Sequence, residues 1–421
     1  MNRLPDWCLG SSRRVHYSIP MNGGRRLEET TTAQSPVLDL NGMGRLGDAL
    51  ARWEEKFVFV FGGIPGEQVE VELLRQRRRY VAARVTEVLR PSPQRASPPC
   101  PYFGDCTGCQ WQHIDYPYHL ALKREAVRDA LARVGGFDGA PVVDVLPAAE
   151  RYGYRNHARF TVGPDGALGF VNRETRRFVA VERCLIMHPR INEALAKLQG
   201  RCGETTQLSI RYGVNTDDYL IQPALKNPEV PLPTGQKRYT EALKGHRFHI
   251  ASPSFFQVNT RQAEVVVDLI REGLQLAGTE FLVDAYTGVG TFAVLLAPYV
   301  KRVVAVEDST AAVEDAQSNA VDMENVQFIL GKAEEMLLAL EKRPDVVILD
   351  PPRKGCHPAA LDALKRIKPT RLVYVSCDPT TLARDLERLC ADAFHLLSVQ
   401  PVDMFPQTHH VECVAFLGAS V

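Results

Sequence analysis

Phe281-Leu282-Val283-Asp284-Ala285-Tyr286-Thr287-Gly288-Val289-Gly290-Thr291-Phe292 reads as a buried strand, a glycine turn and the start of a helix. Glycine allows the backbone to approach a ligand where a side chain would block it. The next strand, Val303-Val304-Ala305-Val306-Glu307, ends in an acid placed to accept hydrogen bonds from ribose hydroxyls. Further strand patterns at 326–330, 345–349 and 371–375 alternate with helix patterns, as in a doubly wound parallel α/β sheet. Two last strand-like runs, 394–400 and 411–417, suit a closing hairpin. The turn is Gly-Val-Gly rather than the full dinucleotide fingerprint, so alone it also admits an NAD-type pocket.

Val346-Val347-Ile348-Leu349-Asp350-Pro351-Pro352-Arg353 narrows this. The prolines stiffen a loop at the sheet edge and hold the Asp350 carboxylate over the pocket. Dehydrogenases have no evident need for such a loop, whereas S-adenosylmethionine-dependent methyltransferases often carry (Asp/Asn)-Pro-Pro here. Arg353 stands where the amine-methylating enzymes usually place a stacking aromatic residue, which disfavours amine methylation.

Cys377 lies in Val375-Ser376-Cys377-Asp378-Pro379, at the end of an apolar run and ahead of a helix-like segment. The helix dipole there favours a thiolate. A thiolate that adds to carbon 6 of a pyrimidine makes carbon 5 enolate-like, able to accept a methyl group. A base must then remove the carbon 5 proton. Glu412, in Thr408-His409-His410-Val411-Glu412-Cys413-Val414, begins the last strand, and burial among apolar neighbours would raise its pKa toward a useful range. His409 and His410 are the runner-up bases.

Cys100-Pro101-Tyr102-Phe103-Gly104-Asp105-Cys106-Thr107-Gly108-Cys109 places three thiols in one loop, with Cys184 as a candidate fourth. Four thiolates suit zinc or a [4Fe–4S] cluster, and spacing alone does not separate them, with a slight lean to zinc from the residues themselves. Cys8, Cys202, Cys356, Cys390 and Cys413 read as ordinary residues.

Together these motifs resemble the RNA uracil-5-methyltransferases, and among them the iron–sulfur branch that modifies 23S ribosomal RNA. The likeness runs from about Val37 to the C-terminus and includes Ser254-Phe255-Phe256-Gln257-Val258-Asn259. It implies a Rossmann-like class I methyltransferase domain at 255–421, and an N-terminal OB-like (TRAM) RNA-binding barrel at 37–92. Between them it implies a β-rich central domain at 93–254 carrying an iron–sulfur cluster on Cys100, Cys106, Cys109 and Cys184. Cys377 is then the nucleophile and Glu412 the base, with S-adenosylmethionine held by Gln257, Tyr286, Glu307 and Asp350. The cluster is expected to pin the central domain, and Phe255 and Phe256 are candidates to stack on bases. Asp378 and Thr291 depart from the Asn found in many and in some relatives respectively, which bears on fine positioning and not on reaction type. A T-loop uridine of transfer RNA is the alternative substrate. A non-catalytic RNA-binding iron–sulfur protein is the alternative class, against which intact Cys377 and Glu412 speak. DNA cytosine-5 methylation is disfavoured because Glu324-Asn325-Val326 precedes the wrong strand for its acid motif.

The rest of the 421-residue chain fits this plan. It is too long for one core. Residues 1–36, rich in Arg, Gly, Ser and Thr, read as a disordered or loosely attached extension. A probable barrel follows, then a stiff Pro-rich linker (Arg90 to Pro99) and a helix over Tyr118–Val134 that is expected to pack on the catalytic domain. Net charge is zero, which argues against a general nucleic-acid binder; residues 1–100 hold 15 basic and 11 acidic side chains. RNA contacts must therefore come from local patches, of which Arg75-Gln76-Arg77-Arg78-Arg79-Tyr80 is the clearest. The chain has no bilayer-length apolar run and no signal-peptide apolar region at its start, so a cytoplasmic location is expected, with a monomer as the default oligomeric state.

Overall fold

The computed structural model describes residues 35–420. The extension expected at 1–36 lies, up to residue 34, outside the described residues. Six strands come first: β1 (Val37–Asp39), β2 (Gly42–Met43), β3 (Ala49–Trp53), β4 (Lys56–Phe61), β5 (Gln68–Gln76) and β6 (Tyr80–Arg90). They form one sheet in the order β1-β5-β6-β4-β3-β2, antiparallel except for the β4–β6 pair. Alternate residues, among them Ala49, Ala51, Val58, Val60, Val69 and Val71, turn inward to make its core. Arg77, Arg78 and Arg79 are exposed between β5 and β6, while Arg75 pairs with Glu174 at 3.1 Å.

The next helix, α1 (Tyr116–Arg133), starts two residues before its expected position, with Asp115 as N-cap and a proline in its first turn. The central part holds β7 (His157–Val162), β8 (Leu168–Val171), β9 (Phe178–Ala180), α2 (Pro189–Leu198), β10 (Gln207–Gly213) and β11 (Asp218–Gln222), then the hairpin β12 (Arg238–Leu243) and β13 (His246–Ala251). Its five-stranded sheet runs β11-β10-β7-β8-β9.

The last part is an α/β unit: α3 (Thr260–Leu274), β14 (Phe281–Ala285), α4 (Thr291–Leu296), β15 (Arg302–Glu307), α5 (Thr310–Asn319), β16 (Val326–Leu330), α6 (Ala333–Leu338), β17 (Val346–Leu349), α7 (Pro358–Ile367), β18 (Arg371–Ser376), α8 (Pro379–Cys390), β19 (Phe394–Val402) and β20 (Glu412–Ala419). The sheet order is β16-β15-β14-β17-β18-β20-β19. The first five are parallel, and β20 runs antiparallel to both of its neighbours.

Strand alternation divides the core in two. Val283, Ala285, Val347, Leu349, Leu372 and Tyr374 face one side, covered by α7 and α8. Leu282, Val346, Ile348, Val373, Val375 and Val414 face the other, covered by α3 and α4. Val127 and Leu131 of α1 are fully buried in the first layer. The segment after α1 continues along the sheet edge, where Val142 and Leu146 bridge to Val399 and Val402 of β19. Among the described residues no helix is long and apolar enough to cross a membrane.

Candidate active site

The order of strands reverses between β14 and β17, and ligands of open α/β sheets bind at the carboxyl ends of strands where this happens. There the β14–α4 turn is built around Asp284. Its carboxylate accepts from the Thr287 hydroxyl at 2.6 Å and from the Ala293 amide at 2.9 Å. Gly288 and Gly290 both have positive φ (56° and 87°), and a Cβ added to Gly288 would meet nothing within 4 Å, so the turn faces open space. Glu307, at the end of β15, accepts from the amides of Gly288, Asp308 and Ser309 at 2.9–3.1 Å, which fixes its carboxylate beside the turn. Burial raises its pKa, against the pull of those amides. The second Asp284 oxygen is buried without a hydrogen-bond partner. An acid beside an open glycine turn and an orphaned carboxylate oxygen fit a polar nucleoside ligand such as S-adenosylmethionine.

Gln257 is half-buried ahead of α3, and its carbonyl accepts from Asn156 at 3.0 Å. Tyr286 has a positive φ (68°) and packs on the core layer under α7 and α8, its hydroxyl beside Cys356; burial raises that hydroxyl's pKa. The two aromatic residues at 255–256 separate: Phe256 is core at 6% exposure, whereas Phe255 is 66% exposed.

Strand register assembles the proposed chemistry. Leu349 pairs with Tyr374, and Ser376 pairs with Cys413. Asp350 and Cys377 follow directly on these last paired residues of β17 and β18, and Glu412 precedes Cys413 at the start of β20. Alternation along β14 and β20 places Asp284 and Glu412 on the face of Leu282 and Val414. Their electrostatics form a chain. Burial and then Asp284 push Asp350 up to about 7, and burial, with a smaller contribution from Glu307, also takes Asp284 to about 7. Burial and then Asp350 hold Glu412 well above the usual carboxylate range.

The thiol departs from expectation. Asp378 does cap α8, accepting from the amides of Thr380 and Thr381 at 2.9 and 3.4 Å. Yet burial, with Glu412 and Asp350 close by, pushes Cys377 up to about 11. Desolvation is the largest cause, and the two neighbouring acids add to it. The Arg353 guanidinium opposes this, favouring the charged forms of both Cys377 and Glu412. Arg353 matters here more than its sequence signal suggested, which was only the absence of an aromatic ring. Asp284 also went unassigned, although an acid ending an apolar strand before a glycine turn is a readable signal. Burial takes the runner-up bases down, His409 to about 3 and His410 to about 4.

Cys100, Cys106, Cys109 and Cys184 line one cavity of about 280 Å³ together with Arg155, Arg159 and Arg183. Among the described residues, however, no three His, Cys, Asp or Glu side chains are grouped to hold a single metal ion. Burial raises the Cys109 and Cys184 thiols, the latter to about 11, and Cys106 and Cys100 add to both shifts.

The fold and the site define a class I α/β methyltransferase. Residues 239–420 match the profile of the tRNA (uracil-5-)-methyltransferase family. An uncharacterized RNA methyltransferase of Thermosynechococcus vestitus is 36% identical, over 91% of this chain and 98% of its own length. One from Gloeobacter violaceus is 35% identical over 92% and 97%. Among solved structures, the Pyrococcus abyssi tRNA (uracil-54, C5)-methyltransferase in complex with S-adenosyl-L-homocysteine superposes with a TM-score of 0.73. It is 26% identical, covering 91% of this chain and all of that one. The chain belongs to this uracil-5-methyltransferase family and is an S-adenosylmethionine-dependent RNA methyltransferase.

Proposed function

We propose that the protein methylates carbon 5 of one uridine in RNA through a covalent adduct on Cys377. The observation that supports this reading is that Cys377 directly follows the last paired residue of β18, Ser376↔Cys413, and lies close enough to Glu412, Asp350 and Arg353 to feel their charges. Sγ of Cys377 bonds to carbon 6, carbon 5 receives the methyl group, Glu412 takes the carbon 5 proton, and elimination breaks the Sγ–C6 bond. When bound, S-adenosylmethionine supplies an electrophilic methyl group; Glu307, Asp350, Gln257 and the Tyr286 turn are the residues proposed to hold it. Arg353 favours the thiolate against the surrounding acids. The desolvation that raises Glu412 also makes it a stronger base once ionised. RNA carrying 5-fluorouridine has no carbon 5 proton to lose, so it should trap the adduct in the presence of S-adenosylmethionine. Cys377→Ala should abolish the trapped band, and its persistence would remove Cys377 from the role.

The four-cysteine cavity suits a [4Fe–4S] cluster better than one zinc ion, since each cluster thiolate binds a different iron and the set need not converge on a single point. Three arginines, Arg155, Arg159 and Arg183, also line it and would supply positive charge beside bound thiolates. The N-terminal sheet is the proposed TRAM-like RNA-binding barrel, acting in a monomer. The substrate we propose is 23S ribosomal RNA, following the cysteine spacing. The second reading, transfer RNA, is favoured by the specificity of the Pyrococcus abyssi relative for uracil 54. Mapping 5-methyluridine in both RNA classes from a strain lacking the gene decides between them.

A further inference from the structure

The loop between β2 and β3 leaves its own sheet and ends at the nucleophile. Arg45 Nη2 lies 3.2 Å from Oδ2 of Asp378, the residue after Cys377. The loop is held from three directions. Gly44 and Asp48 close it with an amide-to-carbonyl bond of 2.8 Å. Trp111 Nε1 donates to the Gly47 carbonyl at 2.9 Å. Arg173 reaches the Leu46 carbonyl and pairs with the Asp48 carboxylate. Gly47 sits at φ +81°, and a Cβ there would fall 2.7 Å from Cβ of His409, so the loop packs directly on the segment leading to Glu412.

The tip is therefore rigid, yet what it presents is open: Arg45 is 68% exposed and Leu46 54%. An exposed ion pair adds little to stability. The Asp378 cap also survives without Arg45, because Oδ1 accepts from α8 while Oδ2 faces the guanidinium. Holding an arginine so firmly at this point has little value for folding. It has value for a polyanion that must bring one nucleotide to Cys377.

We propose that Arg45 is a substrate-positioning residue, exchanging Asp378 for a phosphate of the RNA next to the target uridine. Guanidinium matches phosphate with two parallel hydrogen bonds, which an exposed single contact to a carboxylate does not rival. The inference rests on the methyltransferase reading above and adds the residue that fixes where the backbone lies.

The test uses full-length protein with 23S ribosomal and transfer RNA transcripts, each containing 5-fluorouridine. Adduct formation is followed against RNA concentration at several salt concentrations for the wild type, Arg45→Ala and Arg45→Lys. With Arg45→Ala, the RNA concentration for half-maximal trapping should rise about tenfold. The log–log salt slope should shrink by about 0.7, one single-stranded phosphate. Arg45→Lys should keep the slope while losing part of the affinity. The melting temperature, S-adenosylmethionine binding and the saturating trapping rate should not move. An unchanged slope in Arg45→Ala overturns the proposal, as does a lower saturating rate at wild-type affinity. If Arg45→Ala folds poorly, an Arg45→Lys protein with wild-type affinity as well as slope does the same. Absence of any wild-type adduct would instead strike the Cys377 reading, so the two failures are separable.

Discussion

Lys123→Met should destabilise the protein by about 3–5 kcal/mol, because it leaves one half of a buried ion pair without its partner. Lys123 and Asp403 are both 0% exposed, with Nζ 2.5 Å from Oδ1. The lysine also donates to the Phe405 carbonyl at 3.1 Å, and the Tyr116 hydroxyl donates to the other Asp403 oxygen at 2.9 Å. After the substitution only Tyr116 would remain for the carboxylate. Using an unfolding entropy of roughly 2.1 cal/mol/K per residue over about four hundred residues, the loss corresponds to a fall in melting temperature of about 4–6 °C. Urea titration and thermal melts measure it. Lys123→Met/Asp403→Asn removes both charges and should recover most of the stability, since the cost lies in the stranded carboxylate. Asp403 opens the segment that leads to Glu412, and Asn259, Tyr154, Gln110 and Trp111 also bond to its carbonyls. The single variant should therefore also lose turnover. A loss below about 1 kcal/mol, or a double variant no more stable than the single, would refute the argument.

Glu412→Gln should still form the Cys377 adduct but fail to release it, so that RNA-linked protein accumulates on denaturing gels with ordinary RNA and turnover falls about 10²–10⁴-fold. An adduct level no higher than wild type would exclude Glu412 as the base. Cys377 sits near pKa 11 in the free protein, so its alkylation rate should climb about tenfold per pH unit from 7 to 10. Arg353→Gln should slow it at any fixed pH in that range, and a plateau by pH 8 would contradict the environment described. Asp284 and Asp350 take up protons on folding because their pKa values rise to about 7. Stability should then fall as pH increases from about 4 to about 7, by at most about 1.4 kcal/mol per unit for each group. Asp350→Asn should flatten that slope in urea titrations at stepped pH, and an unaltered slope would place the proton uptake elsewhere.

The α/β half was legible because a buried strand writes an apolar run: β14, β15, β17 and β18 are largely buried, and the edge strand β16 keeps a weaker version of the pattern. Asp350 and Cys377 drew attention for the same reason, each following the end of an apolar run, and Glu412 because it opens one. What the residues around them do was less legible. The Cys377 pKa depends on carboxylates brought near by strand order, which local sequence does not encode. Lys123 looks like any solvent-facing helix lysine until Asp403 is found 280 positions away. Arg45 belongs by sequence to the small N-terminal sheet, and its contact to Asp378 spans 333 positions. Phe255 and Phe256 are identical in type, and only the turn before α3 decides which is buried.

The placement of α1 sets a timetable for synthesis. Its buried Val127 and Leu131 belong to the layer completed by α8, and the two helices pack together. At roughly 5–20 residues per second, α8 follows α1 from the ribosome by roughly 12–50 s. Throughout that interval the apolar stripe of α1 has no permanent cover. A fragment beginning at β12 would lack it altogether and leave the matching surface of α8 bare. Cutting the chain at β12 would therefore expose Val127's and Leu131's partners on α8 to water.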